Sequence, residues 1–165
     1  FIRLLSTLLC VLAPLFAPPA SATDPEALLA TWARAANAES PGFSGFSPER
    51  GRAFYMKVHT TANGEHACVH CHSADPRQIV EGHTGAIRAD CAACHPGSTG
   101  MKSDRSRIRR DIKPLAPSAN PARFTDSDKV TLWFDVNCFY VVGRVCTATE
   151  KGDILTWLLS VDAAH

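Results

Sequence analysis

Large side chains are scarce in this chain: aromatic residues make up 8% of its 165 positions. A small domain with so few of them often needs a staple or a cofactor to complete its core. Strong charge of either sign is missing too. The formal net charge is +1, which lacks the basic surplus of a nucleic-acid binder. No stretch shows convincing strand alternation, so the residues read as all-α. What is present is enough apolar material for a core, at 45% of the chain, so disorder is not the default.

The N-terminus has the plan of a secretory signal peptide over residues 1–22. Arg3 gives a basic start, Leu4 to Phe16 an apolar stretch, and Ala20-Ser21-Ala22 a small-x-small cleavage pattern before Thr23. The alternative is a membrane anchor, but the run is short, interrupted by Pro14 and followed by Pro18 and Pro19, which suits a spanning helix poorly. The expectation is therefore export to the periplasm, with no stable membrane insertion after cleavage, and one domain over residues 23–165. Of the seven cysteines, Cys10 leaves with the leader. The remainder is even in number, as expected in an oxidising compartment.

Four helix starts punctuate that domain. Thr23-Asp24-Pro25-Glu26 offers a cap, a proline and an acid, and Leu28, Leu29 and Trp32 follow on one face until Pro41-Gly42. Ser47-Pro48-Glu49 opens a second helix with a stripe at Gly51, Phe54, Tyr55 and Val58, ending in the turn-forming stretch from Thr60 to Glu65. A third starts over Thr125 to Asp128, with Val130, Trp133 and Phe134 on one side. The last starts at Thr147, where Thr147 and Glu150 match a capping box, and presents Ile154, Leu155, Leu158 and Val161. Residues 96–123 read mostly as loop. Within them the run from Lys102 to Lys113 holds six basic residues against two acids. That is a solvated loop by default, or else a docking patch for an acidic redox partner or a haem propionate.

The chemistry sits in Cys68-Val69-His70-Cys71-His72 and Cys91-Ala92-Ala93-Cys94-His95. Cys-x-x-Cys-His is the pattern of c-type haem attachment. Two intervening residues let both sulfurs reach one porphyrin edge, and the histidine then lies under the ring as proximal iron ligand. Both motifs therefore point to covalent haem c, two per chain, with His72 and His95 on the irons. A four-cysteine zinc site has compatible spacing, and a Cys-x-x-Cys pair also serves as a redox dithiol. Neither requires the histidine that follows each pair, and export disfavours a zinc site of four thiolates.

Cys138 and Cys146 enclose a short loop containing Gly143. The compartment favours a disulfide, the alternative being two buried thiols. Asn137 just before it has the default reading of a C-cap or turn residue.

Several stretches together resemble the sphaeroides haem protein (SHP) family, a branch of the class I cytochromes c. They are Glu49 to Phe54, Cys68 to Asp75, Ile112 to Asp126, Asn137-Cys138, Gly143 to Thr147 and Glu150 to Leu158. The resemblance implies a class I cytochrome c fold, with the Gly51/Phe54 helix crossing the Trp157 helix. It makes His72 the proximal ligand and Asn137 an unusual sixth ligand beside a Cys138–Cys146 disulfide. Asn137 would leave the iron on reduction and open a site for O2 or another small diatomic. A neutral amide oxygen is a hard, weak donor that suits ferric iron better than ferrous iron. The implied partners are a periplasmic cytochrome c and a membrane cytochrome b. The chain departs from the family pattern over roughly 76–111, which reads as an insertion carrying the second haem motif. The resemblance does not give that haem's sixth ligand; His59, His66, His83 and Met101 are candidates. His70 reads as an exposed side chain. Phe139 and Tyr140 are bulky neighbours that narrow the distal pocket.

Other readings make distinct demands. A plain dihaem electron carrier keeps both irons six-coordinate in both oxidation states. A reductase or oxidase needs a proton donor beside an open iron, and no unambiguous donor stands out, so enzyme activity is not the favoured reading. A zinc-binding module would carry no haem band.

Overall fold

The computed structural model describes residues 25–62, 64–80 and 111–161. The leader read at residues 1–22 lies outside them. Among the described residues there are five helices: α1 Pro25–Glu39, α2 Pro48–Met56, α3 Val69–His72, α4 Ser127–Val142 and α5 Ala148–Ser160. Two short strands, β1 His59–Thr61 and β2 Gly64–His66, form one antiparallel hairpin. The class is all-α with this small hairpin added.

Local chemistry sets the helix ends. The Ser47 side chain accepts from the Arg50 backbone N–H, and Pro48 opens α2. Asp126 does the same for α4 through Lys129 N–H, and Gly143 ends that helix at φ 80°, a conformation that glycine adopts without strain. The expected capping box of α5 is complete, with Thr147 and Glu150 each satisfying the other's backbone N–H.

The core forms where α5 is covered on two sides. α2 crosses it at Gly51: a β-carbon there would lie 2.0 Å from the Asp153 carbonyl oxygen, so only glycine permits the approach. One turn on, the Tyr55 and Trp157 rings meet at 4.8 Å. Phe54 is only partly buried and Val58 is exposed, so Gly51 and Tyr55 make the crossing face. The buried Asp153 locks it by accepting from Ser47 N–H at 2.7 Å and Arg50 Nε at 2.7 Å. α1 adds Leu28, Trp32 and Ala36, and its Glu39 carboxylate accepts from Ala148 N–H at 3.0 Å. Trp32 in turn meets Phe134 edge-on at 5.1 Å, which seats α4.

The hairpin was not expected. Its strands are too short for alternation to show, but Thr60 and Thr61 are β-branched and Gly64 sits at φ 119°. It rests against the end of α4, where a β-carbon on Gly143 would touch the Thr61 methyl at 3.4 Å. A second pairing joins Val80 and Ile112, which exchange both backbone hydrogen bonds at 3.1 and 3.0 Å.

Glu150 does more than cap. Its carboxylate accepts from Thr147 N–H at 2.9 Å and from both Arg144 Nη atoms at 2.7 and 2.6 Å. Burial pushes its pKa up, but the bonds from Arg144 and Thr147 outweigh this and hold it below the ordinary carboxylate value. A depressed carboxylate contributes stability above its unfolded pKa and loses it as pH falls through the folded one. Glu150→Gln should therefore cost about 1 kcal/mol at neutral pH, after discounting for the exposed Arg144. That corresponds to about 3 °C in Tm. The variant should also lose part of the wild type's acid-side decline. Thermal melts from neutral pH down through the carboxylate range check both.

Candidate haem site

The first motif is a single helical turn. Cys71 N–H donates to the Cys68 carbonyl at 3.2 Å, and His72 N–H donates to the same oxygen at 3.1 Å. Residues three and four apart share a helix face, so Cys68, Cys71 and His72 lie on one side of α3, all half-buried. Ser73 breaks the turn at φ 65°. Tyr55 Oη donates to the Ser73 carbonyl at 2.7 Å, tying α2 to the residue after His72. Burial and the nearby Cys68 and Cys71 push the Tyr55 pKa far up, so it stays a donor. Beyond it, the Pro76 carbonyl accepts Leu115 N–H at 2.8 Å and Ala116 N–H at 3.0 Å. The Pro114–Ala116 segment is thereby clamped against the loop that follows the motif.

This arrangement fits a c-type haem. Two thiols and an imidazole leave one face of a turn anchored from both directions, and Cys68 and Val69 pack on the apolar core. It fits a redox dithiol less well. Burial pushes the Cys68 thiol up to about 11, whereas a reactive dithiol needs a depressed pKa.

Asn137 lies on α4, well before the helix end. Gly143 is the C-cap, so the default reading of Asn137 as a cap does not apply. Its side chain is exposed and makes no hydrogen bond among the described residues. Trp133, one turn earlier, is 54% exposed. The expectation that Trp133 shares a side with Val130 and Phe134 is corrected: those two pack on the core, while Trp133 shares the adjacent face with Asn137. Next to Asn137, Cys138 is bonded to Cys146, with Cα atoms 5.6 Å apart, which fixes the end of α4 to the start of α5.

A family model described as a domain of unknown function (DUF1924) matches residues 41–86 and 78–158. The chain is also 35% identical over 150 residues to cytochrome c-type protein SHP of Cereibacter sphaeroides, covering 90% of this chain and 94% of that one. The chain belongs to the SHP family. Cytochrome c'' of Methylophilus methylotrophus is a further relative of this SHP-family chain, 28% identical over 158 residues and 94% of each chain. The structure of oxidized SHP, an oxygen-binding cytochrome c, superposes with a TM-score of 0.60 at 34% identity, covering 84% of this chain and 97% of that one. A solution structure of cytochrome c'', described as giving insight into haem-ligand detachment, superposes at 0.62 with 26% identity, over 82% and 92% of the two chains. The fold is thus that of a cytochrome c, and SHP-family relatives carry covalent haem c.

The structure brings together Cys68, Cys71 and His72, and places Asn137 within α4 beside the Cys138–Cys146 disulfide. Cys91, Cys94, His95, His83 and Met101 lie outside the described residues. His70 is exposed. Sequence reasoning missed the Tyr55–Ser73 tie and the hairpin. The Gly51-to-Tyr55 spacing gave a hint of the first; nothing local announced the second.

Proposed function

We propose that this protein is an exported, periplasmic cytochrome c whose His72 haem binds a small diatomic ligand such as O2 on reduction. Asn137 is the displaceable sixth ligand, and Cys91, Cys94 and His95 carry a second haem that passes electrons to or from the first. The observation that carries the reading is Asn137 itself. It sits in the interior of a helix, where asparagine is a poor choice, with an exposed amide that no capping role explains. Bound haem would supply a one-electron iron couple and, once the amide is released, an open coordination position. The chain supplies the rest. Cys68 and Cys71 would tether the ring and His72 would bind its iron, on a turn braced by Tyr55 and Pro76. The α4 helix, fixed by the disulfide and Gly143, sets how far the amide can move. Support for ligand binding comes from the relatives: one is an oxygen-binding cytochrome c, and the other bears on haem-ligand detachment. The Val80–Ile112 pairing supports the insertion, because the chain departs and returns at one rung. Partners by this reading are a periplasmic cytochrome c and a membrane cytochrome b. Among the described residues no helix is long and apolar enough to cross a membrane.

The test is the visible spectrum of dithionite-reduced protein before and after CO, with intact mass for the haem count. The reading expects two haem additions and a high-spin ferrous component that CO converts to low spin. A spectrum unmoved by CO would make the protein a plain electron carrier. A single haem addition would remove the second centre.

A further inference from the structure

Two imidazole nitrogens on the hairpin are buried without a hydrogen-bond partner, Nε2 of His59 and Nε2 of His66. Burying a polar atom without a partner is costly, so each such atom calls for an explanation, among them a bound ion. His59 is the more informative. It is 9% exposed, and its ring lies 4.9 Å from that of Phe54. Burial, the largest influence, holds its pKa below the ordinary imidazole value, against the Phe54 backbone and Glu150 and in the same sense as Lys57 and Arg144. A neutral imidazole offers an unprotonated ring nitrogen, the form in which histidine ligates metals.

His66 stands directly opposite His59 in the strand register. Opposed residues of an antiparallel pair leave the same face, with β-carbons about 5 Å apart. Both histidines therefore project from one side of a hairpin that is packed against α4.

We propose that this hairpin is a metal-ligating element, with His59 Nε2 as the ligand atom and His66 as its cross-strand partner. The ligand is a divalent zinc or copper ion, each of which accepts imidazole nitrogen, held between the two rings. Among the described residues no group of three or more His, Cys, Asp or Glu side chains gathers around an ion site. A free ion would thus be held by two protein nitrogens plus water and would be removable by a chelator.

The experiment uses the full-length holoprotein after chelator treatment. Zn2+ and Cu2+ are titrated calorimetrically, and ferric EPR and near-infrared magnetic circular dichroism spectra are recorded, for wild type, His59→Ala, His59→Gln and His66→Ala. A bound ion predicts one Zn2+ or Cu2+ per chain, at least a tenfold affinity loss in both alanine variants, and unchanged haem spectra. No ion site, together with a bis-imidazole ferric signal that is lost in His59→Ala and restored by added imidazole, would place His59 on a haem iron and overturn the ion site. His59→Gln keeps a polar side chain in this place without offering an imidazole, so it reports if the alanine variant misfolds. No stoichiometric ion and no spectral change in either His59 variant would overturn the proposal. A protein devoid of haem would overturn the function proposed above while leaving the ion titration readable.

Discussion

Replacing Asn137 with alanine should leave the ferric His72 haem five-coordinate and high-spin in EPR and visible spectra. The amide is exposed on α4 and is followed at once by buried, disulfide-bonded Cys138. The helix backbone therefore cannot easily shift to offer another donor. Alanine is the best helix former, so the helix survives the change. The effect on ligand affinity follows from populations. If the amide occupies the iron in all but ~0.1–10% of ferric molecules, the usual range for a minor state, apparent affinity for an added ligand is reduced by that fraction. Its removal should tighten ferric azide or imidazole binding by about tenfold or more. CO affinity of the reduced form should move much less, because the proposed function has the amide leave the iron on reduction. An Asn137→Ala protein whose ferric spectrum matches wild type would exclude Asn137 as a ligand.

Gly51→Ala should be the most damaging single-methyl change in the core. The added β-carbon would lie 2.0 Å from the Asp153 oxygen, 2.4 Å from its carbonyl carbon and 2.9 Å from Ile154 N. All three atoms belong to the α5 backbone, so no side-chain rotation relieves the clash. α2 and α5 must separate, which loosens the Asp153 bonds to Ser47 and Arg50 and the Tyr55–Trp157 contact. Overpacking of this kind costs about 3 kcal/mol, offset by less than about 1 kcal/mol of helix propensity. Total stabilities are only about 5–15 kcal/mol, so the urea midpoint should fall substantially. Gly152 is the comparison. A β-carbon there would meet the ring of Phe46 at 2.1 Å, and that ring is partly exposed and can swing away. Gly152→Ala should therefore cost less. Equal midpoints for the two variants would count against this picture of the crossing.

These two residues also mark the limits of the sequence. Helix starts were legible because caps are local: Ser47, Asp126, Thr147 and Glu150 each bond within four residues. The haem motif was legible because its chemistry requires a fixed spacing. The β1–β2 hairpin was not, since each strand is shorter than the period needed to recognise it, and its stability comes from contact with α4. Nor did the sequence separate the faces of α4. Val130, Trp133 and Phe134 look equivalent by spacing, and only the edge-on contact of Phe134 with Trp32 decides which side faces the core. The burial of His59 likewise depends on Phe54 and on the α4–α5 junction, which are remote in sequence or unpredictable in orientation.

The pairing of Val80 with Ile112 has a consequence for how such a protein can change over generations. The chain leaves the described scaffold and rejoins it at a single rung, and for a loop with fixed ends each doubling of length adds about 0.6 kcal/mol. The Gly51 crossing and the Tyr55 brace draw on α5 and Ser73, not on the residues between those two positions. Relatives that share the scaffold can therefore differ in the length of this connection.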